Sequence, residues 1–458
     1  MEILKRLTLT PFEWTMTNDF LSSPMEFVIR LCCVGEIDEA KFAAAISNAL
    51  KQQPLLQANA DVGPTHRQSY WKPAANVAPS VQWLDGDPNQ GKGYPDDFET
   101  IDLRDEIGIR VYGWQYEVDG QSRIEIKFVF HHACCDGKGA VGFVEQVISE
   151  YQLLLGETLD RNAVSLDCER ILDRDRRQPY SFGMIDRVKR ALLVRPKRVI
   201  NMLFRSPAKL CWRPESTNEL FADPPRLCSV TLDAETTKRL GAFAKSHAAS
   251  TNAVVAAELF HVLNDCLTDL NGSAAKTNLL RIMIPFSLRD ERHDQMPAAN
   301  CVSMAYLEMQ RDAIDRGMLA NLQQQMVFIR KWKIQYSWIE AIESYARFWP
   351  LIRVIKRFQK EDKATRQVAT AVMSNLGRVF DGACGSESCG KLKAGKLEVE
   401  TVHLVLPCHE NQSVNFAINF YRDRLTLDVS WLPSLVSQQT AQSLLNDWQQ
   451  RILAVAKQ

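Results

Sequence analysis

Residues 123–137 read RIEIKFVFHHACCDG and decide how the rest of the sequence is interpreted. Every second residue of the first eight is apolar, namely Ile124, Ile126, Phe128 and Phe130. Because successive side chains of a strand point to opposite faces, this pattern predicts a strand with one apolar face. Gly137 and Gly139 then break the strand, and the residues that follow at helical spacing are Val144, Ile148 and Tyr151. The stretch therefore predicts a strand, a polar loop and a helix.

The polar loop carries the chemistry, because two adjacent histidines are followed by an aspartate, Asp136. A neutral imidazole such as that of His132 can take a proton from a hydroxyl or amine as it attacks a carbonyl. The carboxylate can either orient the ring or anchor the loop, and Gly137 permits the chain to turn. Two alternatives stay open. The histidines could be buried structural residues, or His132 and Asp136 could bind a metal, although the local sequence supplies no third ligand.

His-His-x-x-x-Asp-Gly is the signature of the chloramphenicol-acetyltransferase-like acyltransferases, and the sequence resembles that family. The family includes condensation domains of peptide synthetases, polyketide-associated acyltransferases, alcohol acetyltransferases and wax ester synthases. Further matches follow in the family's order: residues 31–60 with Pro54-Leu55-Leu56, residues 284–289 with Asn300, Ser374-Asn375-Leu376-Gly377, and residues 416–431. The Asp-Phe-Gly-Trp-Gly motif of the plant branch is absent from the sequence.

The resemblance implies an α/β fold, an α+β sandwich of two chloramphenicol-acetyltransferase-like subdomains. They would form a V-shaped pseudo-dimer with the active-site tunnel between them. Residues 1–169 would be the N-terminal subdomain that carries the motif, and residues 214–458 the C-terminal subdomain. Residues 170–213 would be a basic linker, because the charge composition changes sharply there.

The resemblance also assigns roles to single residues. His132 would be the general base, and Asp136 would point away from the substrate and pair with Arg289, which holds the loop. His131 and Gly137 would be structural. The candidates for lining the channel are Asn300, Ser374, Asn375 and Gly377.

The implied reaction moves an acyl group from a thioester, carried by coenzyme A or by an acyl carrier protein, to a hydroxyl or amine. His132 would remove the acceptor's proton, and the tetrahedral intermediate would expel a thiolate. This chemistry requires no metal, no other cofactor and no covalent acyl-enzyme. Cys134 and Cys135 stand at unspecified positions of the motif and are expected to pack in the core.

Charge is balanced overall but not locally. The 55 Lys and Arg residues equal the 55 Asp and Glu residues, which excludes a uniformly basic nucleic-acid-binding protein. Residues 170–213 nevertheless carry 13 basic and 3 acidic side chains, and residues 330–366 carry 10 and 4 together with several aromatics. Two interpretations stay open. The segments are a solvated linker and a core-facing helix, or they dock on anionic lipid, on coenzyme A phosphates or on an acidic carrier protein.

The expected location is cytoplasmic, with the inner membrane surface as the alternative for a peripheral protein. No stretch approaches the roughly 18–20 apolar residues of a membrane span, and the N-terminus lacks the features of a signal peptide. The 12 cysteines suggest no disulfide framework. One set of potential metal ligands matches no standard zinc spacing: Cys384, Cys389, His403, Cys408 and His409.

Two other functions compete with acyl transfer from a thioester by this fold. The first is a non-catalytic binding or scaffold protein that keeps the fold, and the intact His132, Asp136 and Arg289 argue against it. The second is a glycerolipid acyltransferase, because His131 and Asp136 also satisfy His-x4-Asp. The Glu-Gly-Thr-type motif of that family is not found downstream.

Several elements outside the motif are also predicted. Asp38, Asp233 and Ser250 are suited to begin helices, and Pro350 is expected to interrupt a helical stretch over residues 320–360. Two strands, residues 413–421 and 424–431, are joined by Arg422-Asp423, and a final helix runs from about residue 437 to 456.

Overall fold

The computed structural model describes residues 3–4, 7–18, 25–75, 77, 80–85, 100–158, 166–175, 188, 205–210, 224–271, 277–315, 317–358, 369–381, 391–409 and 412–458. Most of the predicted basic linker lies outside the described residues. The same is true of Cys384 and Cys389, two members of the potential metal-ligand set.

Helices begin where the capping residues predict. The α-helices are α1 (Pro11–Asn18), α2 (Glu39–Leu50), α3 (Gly137–Leu154), α4 (Ala234–Ser246), α5 (Thr251–Asn271), α6 (Met318–Lys331), α7 (Gln335–Phe358) and α8 (Gln438–Ala456). The side chains of Asp38, Asp233 and Ser250 each accept a hydrogen bond from the backbone N–H three residues on, so these predicted caps are confirmed.

Helix α7 corrects one prediction, because it continues through Pro350 instead of stopping there. A proline inside a helix removes one backbone hydrogen bond and favours a kink, which tertiary packing can outweigh. The first half of α7 packs against α1 and against a strand of the second sheet.

The strands form two six-stranded sheets and one small pair. They are β1 (Glu26–Val34), β2 (Ala58–Asp61), β3 (Tyr70–Pro73), β4 (Ser80–Leu84), β5 (Ile109–Val118), β6 (Gln121–His131), β7 (Arg226–Thr231), β8 (Leu279–Ser287), β9 (Val302–Gln310), β10 (Ala371–Arg378), β11 (Lys393–Ala394), β12 (Leu397–Val405), β13 (Val414–Tyr421) and β14 (Arg424–Trp431). The first sheet has the order β11-β12-β1-β6-β5-β4, the second β7-β14-β13-β10-β8-β9, and β2 pairs with β3. Helices pack on both large sheets, so the predicted α/β class is confirmed.

The alternating strand of the motif is β6, at the centre of the first sheet. Its apolar side chains face α2 and α3, where the ring of Phe143 lies 5.9 Å from that of Phe130 and 6.4 Å from that of Phe128. Phe27 of β1 is opposite Phe130 in the antiparallel register, and the two rings stack. This packing fixes the end of β6, from which the polar loop begins.

The predicted hairpin of β13 and β14 is confirmed, with Arg422 and Asp423 at its turn. Both residues have positive φ, 52° and 56°. Two such residues form the turn type whose twist suits a two-residue hairpin. The hairpin lies within the second sheet, next to β10 on one side and β7 on the other.

Each large sheet has its own apolar core, but chain order does not decide which strands belong to it. Strand β12 pairs with β1, from Val28 opposite Val405 to Val34 opposite Glu398. The first sheet therefore includes strands from the C-terminal third of the chain. The subdomain boundaries at residues 170–213 stay a prediction. They do not account for the strands that follow residue 213 and yet belong to the first sheet.

Candidate functional site

His131 is the last residue of β6 and is buried. Its backbone N–H donates to the Gly108 carbonyl (3.0 Å), and its Nδ1 accepts from the Ala133 N–H (3.2 Å). Burial and the neighbouring His132 lower the pKa of His131 to about 3, so the ring is neutral. These contacts shape the start of the loop, and the side chain does not line the large cavity described below.

His132 has a different environment, since its ring is only partly buried and lies at a cavity wall. The Asn300 amide nitrogen donates to the His132 carbonyl (2.7 Å) and lies 3.2 Å from the ring Nδ1. The Phe27 ring lies 5.0 Å from the imidazole. Burial lowers the pKa of His132 below its ordinary value, and the charge of Asp136 and hydrogen bonds to backbone carbonyls only partly offset this. The ring is therefore neutral at pH 7.

Asp136 is the N-cap of α3. It links residues on either side of the segment 170–213, and these two parts of the chain are called the first and the second half below. One carboxylate oxygen accepts from the Gly139 N–H (2.9 Å), and the other accepts from the Cys301 N–H (2.9 Å) and pairs with the Arg289 guanidinium. Burial alone would raise the pKa of Asp136, but Arg289 and the backbone donors lower it below its ordinary value. The carboxylate is thus charged, and its hydrogen bonds anchor the loop.

Arg289 follows β8 and uses both ends of its guanidinium. One nitrogen pairs with Asp136, and the other donates to the Ala299 carbonyl (2.9 Å). Asp136 N–H also donates to that carbonyl (3.2 Å). The structure therefore brings Asp136, Arg289 and Asn300 together around the loop of His132, although Asn300, a predicted channel residue, is not among the residues that line the cavity.

Gly137 lies at a close contact between the first and the second half. A Cβ at this position would collide with the side chain of Leu376, which belongs to β10 of the second sheet. A larger residue here would force the Leu376 side chain to move, so glycine favours this close contact; its φ is not positive, and the backbone conformation does not demand it.

A cavity of about 490 Å³ lies between the two sheets, with His132 in its wall. Most of its lining is apolar, including Phe12, Met25, Met283, Met304, Val372 and Leu404. The polar side chains are a minority of the lining, and apart from Lys138 and the paired Asp136 none of them carries a fixed charge. Such a cavity fits an uncharged, largely apolar molecule with a polar group near His132.

The predicted Ser-Asn-Leu-Gly segment lies in β10, and only part of it reaches the cavity. Ser374 and Asn375 line the cavity, whereas Gly377 does not. The Asn375 side chain bonds to Asn252 and accepts from the Gly377 N–H (2.6 Å), so its polar atoms are occupied. No described residue hydrogen-bonds to the Ser374 hydroxyl, which leaves it available to a ligand.

The structure adds cavity residues that the sequence analysis did not place there. His409 and Gln412 line the cavity and are bridged to each other through their backbones (2.7 Å and 3.2 Å). Burial lowers the pKa of His409 to about 4. Trp338 also lines the cavity, and its segment is one for which the sequence left both a core-facing helix and a docking surface open. No local signal identifies these residues, because the fold brings them together from separate elements.

The first turns of the basic segment over residues 330–366 face the core. Trp332 and Tyr336 are both only 8% exposed, and Trp338 points into the cavity wall. Phe348 is 56% exposed. The core-facing interpretation is therefore correct for the start of α7, while part of the segment lies outside the described residues.

Cysteine and metal chemistry find little support in the geometry. Cys134 and Cys135 are fully buried, and burial raises the pKa of both thiols well above the ordinary value. They therefore pack in the core and are poor nucleophiles. Among the described residues, no group of three His, Cys, Asp or Glu side chains is placed to bind a metal ion.

Solved structures resemble this chain over nearly its whole length. A trichothecene 15-O-acetyltransferase from Fusarium sporotrichioides matches with a TM-score of 0.66 and 12% identity, covering 98% of this chain and 94% of that one. The starter condensation domain of rhizomide synthetase, solved as a mutant in complex with C8-CoA, matches with a TM-score of 0.65 and 14% identity over 99% and 94%. The first condensation domain of the calcium-dependent antibiotic synthetase gives 0.61 and 13% over 98% and 95%.

These likenesses confirm the predicted fold, which this chain shares with an acetyltransferase and with condensation domains over nearly its whole length. No family model and no curated protein matches the sequence. A search of the helices over the described residues found none with the length and apolar character to cross a bilayer.

Proposed function

We propose that this protein transfers an acyl group from a thioester to a hydroxyl or amine, with His132 as the general base. The observation that carries the proposal is a neutral imidazole at the wall of an apolar, inter-sheet cavity. The loop around it is anchored from both halves by Asp136 and Arg289. The likeness to an acetyltransferase and to condensation domains supports this general class of reaction.

Each step uses groups of this chain. The imidazole of His132 takes the proton of the acceptor hydroxyl or amine as its oxygen or nitrogen attacks the thioester carbonyl. The tetrahedral intermediate then breaks its carbon–sulfur bond and expels the thiolate, which receives the proton from the imidazolium. No acyl-enzyme forms, and the histidine ends neutral again.

Asn300 orients the base in this mechanism. Its amide nitrogen donates to the His132 carbonyl and lies beside Nδ1, so the ring is positioned from the second half. A proton on Nδ1 leaves Nε2 as the nitrogen that accepts the substrate proton. The proposed acceptors of the Nδ1 proton are backbone carbonyls of the loop, because the Asn300 amide nitrogen only donates and Asp136 is occupied with Arg289.

Ser374 is the proposed donor to the tetrahedral oxyanion. Its hydroxyl lines the cavity without a partner among the described residues. A donor that is placed in advance toward developing negative charge stabilises a transition state more than a ground state. Asn375 and Gly377 support this part of β10 through their own hydrogen bond and are not assigned a chemical role.

The donor in this proposal is a coenzyme A or carrier-protein thioester, and the acceptor is a small, uncharged alcohol or amine. The basic residues 170–213 would attract the phosphates of either donor. A cytoplasmic protein with peripheral contact at the inner membrane surface is the corresponding location.

A screen of donors and acceptors tests the proposal. The protein is incubated with acetyl-, octanoyl- and palmitoyl-CoA against a panel of alcohols and amines, and with an octanoylated carrier protein. Free thiol and acylated product are both measured. Acceptor-dependent thiol release by the wild type, lost in His132→Ala, supports the proposal. Equal release by both proteins with every pair would overturn it.

The second candidate is a binding protein with the same fold. The X-domain from teicoplanin biosynthesis, solved in complex with OxyB, resembles this chain with a TM-score of 0.57 and 14% identity over 99% of this chain and 94% of that one. That neighbour is therefore an instance of the fold in a protein–protein complex. Stable capture of a protein partner with no turnover in the screen would favour this candidate.

A further inference from the structure

One wall of the cavity is formed by facing positions of β8 and β9. Ser287 is opposite Val302 and Pro285 opposite Met304, and all four line the cavity. The next pair on the same faces is Met283 and Tyr306. Since alternate residues of a strand share a face, Tyr306 lies on the same face as Val302 and Met304, farther along β9 and just beyond the residues that line the cavity.

Two polar groups at this end of the cavity lack partners. The Tyr306 hydroxyl and the Trp338 indole N–H are buried and make no hydrogen bond in the described part of the chain. Their rings lie 6.1 Å apart in an edge-to-face arrangement, and Trp338 lines the cavity. Gln335, one turn before Trp338 on α7, also has a buried amide oxygen without a partner. Buried polar groups are nearly always hydrogen-bonded, so such a cluster requires an explanation.

The charge at this end is balanced. Arg281 lies beneath the Tyr306 ring, with its guanidinium carbon 5.5 Å from the ring centroid. The same guanidinium pairs with Glu308 (2.6 Å), so it contributes no net charge. An ionic ligand is therefore not favoured here, whereas a neutral polar group is.

The chemistry of the two side chains limits what they bind. An indole N–H only donates, and a tyrosine hydroxyl donates as well as accepts. A ligand atom that satisfies both must accept hydrogen bonds, as a hydroxyl, carbonyl or ether oxygen does. Tyr306 is four residues along β9 from Val302, which is about 13 Å at the strand rise.

We propose that Tyr306 and Trp338 form an oxygen-recognition site at the far end of the cavity. It binds a neutral oxygen of a molecule whose other end lies at His132. The placement of the reacting end rests on the proposed function, but recognition of the oxygen does not. The acceptor class is therefore a mid-length, largely apolar alcohol or amine whose second oxygen is separated from its reacting group by about the 13 Å between Val302, two residues beyond Asn300, and Tyr306.

Matched alcohols test this site by binding alone. Isothermal titration compares 1-decanol with 1,10-decanediol, which adds only a terminal oxygen, and no thioester is present. The selectivity is the affinity for the diol relative to the alkanol. Tyr306→Phe and Trp338→Phe are each expected to reduce it by about 2- to 10-fold, the range for one hydrogen bond. Tyr70→Phe, which changes an exposed tyrosine outside the cavity, is the control and is expected to leave it unchanged.

Thermal unfolding without ligand gives an independent readout. Removing a buried hydroxyl that has no partner leaves the melting temperature equal or raises it. Tyr306→Phe is therefore expected to be at least as stable as the wild type. A lower melting temperature would show that the hydroxyl has an internal partner and would overturn the inference. Unchanged selectivity in both Tyr306→Phe and Trp338→Phe, or no binding of either alcohol to the wild type, would also overturn it.

The outcomes separate this inference from the proposed function. Diol selectivity that depends on Tyr306, together with no thiol release in the donor screen, would retain the oxygen site and reject acyl transfer. Acyl transfer that depends on His132, without any effect of Tyr306 or Trp338 on diol selectivity, would retain acyl transfer and reject the oxygen site.

Discussion

Arg289, two residues beyond β8 in the second half, forms an ion pair with Asp136 at the start of α3 in the first half. The same carboxylate accepts from two backbone N–H groups, one on each side of the boundary. The loop that carries His132 is therefore attached to both sheets at once. This explains how a base at the end of one strand keeps its position in a cavity formed by two halves.

Replacing Asp136 by Asn is expected to destabilise the protein by about 3 kcal/mol at pH 7, because Arg289 is left without its counter-charge. The pKa of Asp136 is below 3.8 in the folded state, so its contribution is present above that pH and is lost as the pH falls through the folded value. The difference between wild type and variant should therefore shrink in acid. Urea unfolding at pH 7 and pH 3.5 measures it.

Asp423→Asn is the matched control, since Asp423 pairs with Arg378 at an exposed site (2.6 Å). Its effect is expected to stay within about 0.5 kcal/mol. Equal effects of the two substitutions would show that the Asp136–Arg289 pair does not hold the halves together.

Two glycines of α3 should respond in opposite directions to alanine. A Cβ at Gly139 would lie 3.2 Å from the Ala299 nitrogen and 3.3 Å from an Arg289 nitrogen, both in the second half. Gly139→Ala is expected to cost about 1–3 kcal/mol through overpacking. A Cβ at Gly142 meets nothing within 4 Å. Gly142→Ala should gain about 0.5–1 kcal/mol from helix propensity. Chemical denaturation of both variants checks this, and a stabilising Gly139→Ala would contradict the close contact.

His403 of β12 is predicted to make stability fall at alkaline pH. Its Nδ1 lies 3.0 Å from the buried Asp428 carboxylate of β14. Burial alone would lower the pKa of His403, but Asp428 and hydrogen bonds, including one with Cys32, raise it from 6.5 to about 9. A raised pKa gives stability that is complete below pH 6.5 and is lost as the pH rises through about 9.

His403→Gln should therefore destabilise the protein more at pH 6 than at pH 10, measured by urea unfolding at each pH. His247→Gln, at an exposed site, is the control. A destabilisation that is the same at both pH values would contradict the charged pair.

The local elements of the motif were predictable because their signals are local. The alternation of β6 and the caps of α2 and α4 depend on residues a few positions apart. The contact between Asp136 and Arg289 spans 153 residues and could be inferred only from the family resemblance. A local sequence pattern cannot predict a contact between residues so far apart in the chain.

Other features follow from tertiary packing and could not be predicted in this way. The pairing of β12 with β1 joins strands more than 360 residues apart, and any apolar strand would have satisfied the same pattern. The sequence left open whether the segment with Trp338 faces the core or a docking surface, and the packing of α7 on β9 places Trp338 at the cavity. Helix α7 also continues through Pro350, against the propensity of that residue.

The most direct test of the central claim is the pH dependence of kcat/KM with an acyl donor and acceptor from the screen. Because burial lowers the pKa of His132, the acid limb of the wild type should lie below pH 6.5. His132→Ala should lower kcat/KM by about 10²- to 10⁴-fold and remove this limb. A variant with wild-type rate, or one with an unchanged acid limb, would contradict the role of His132 as the base.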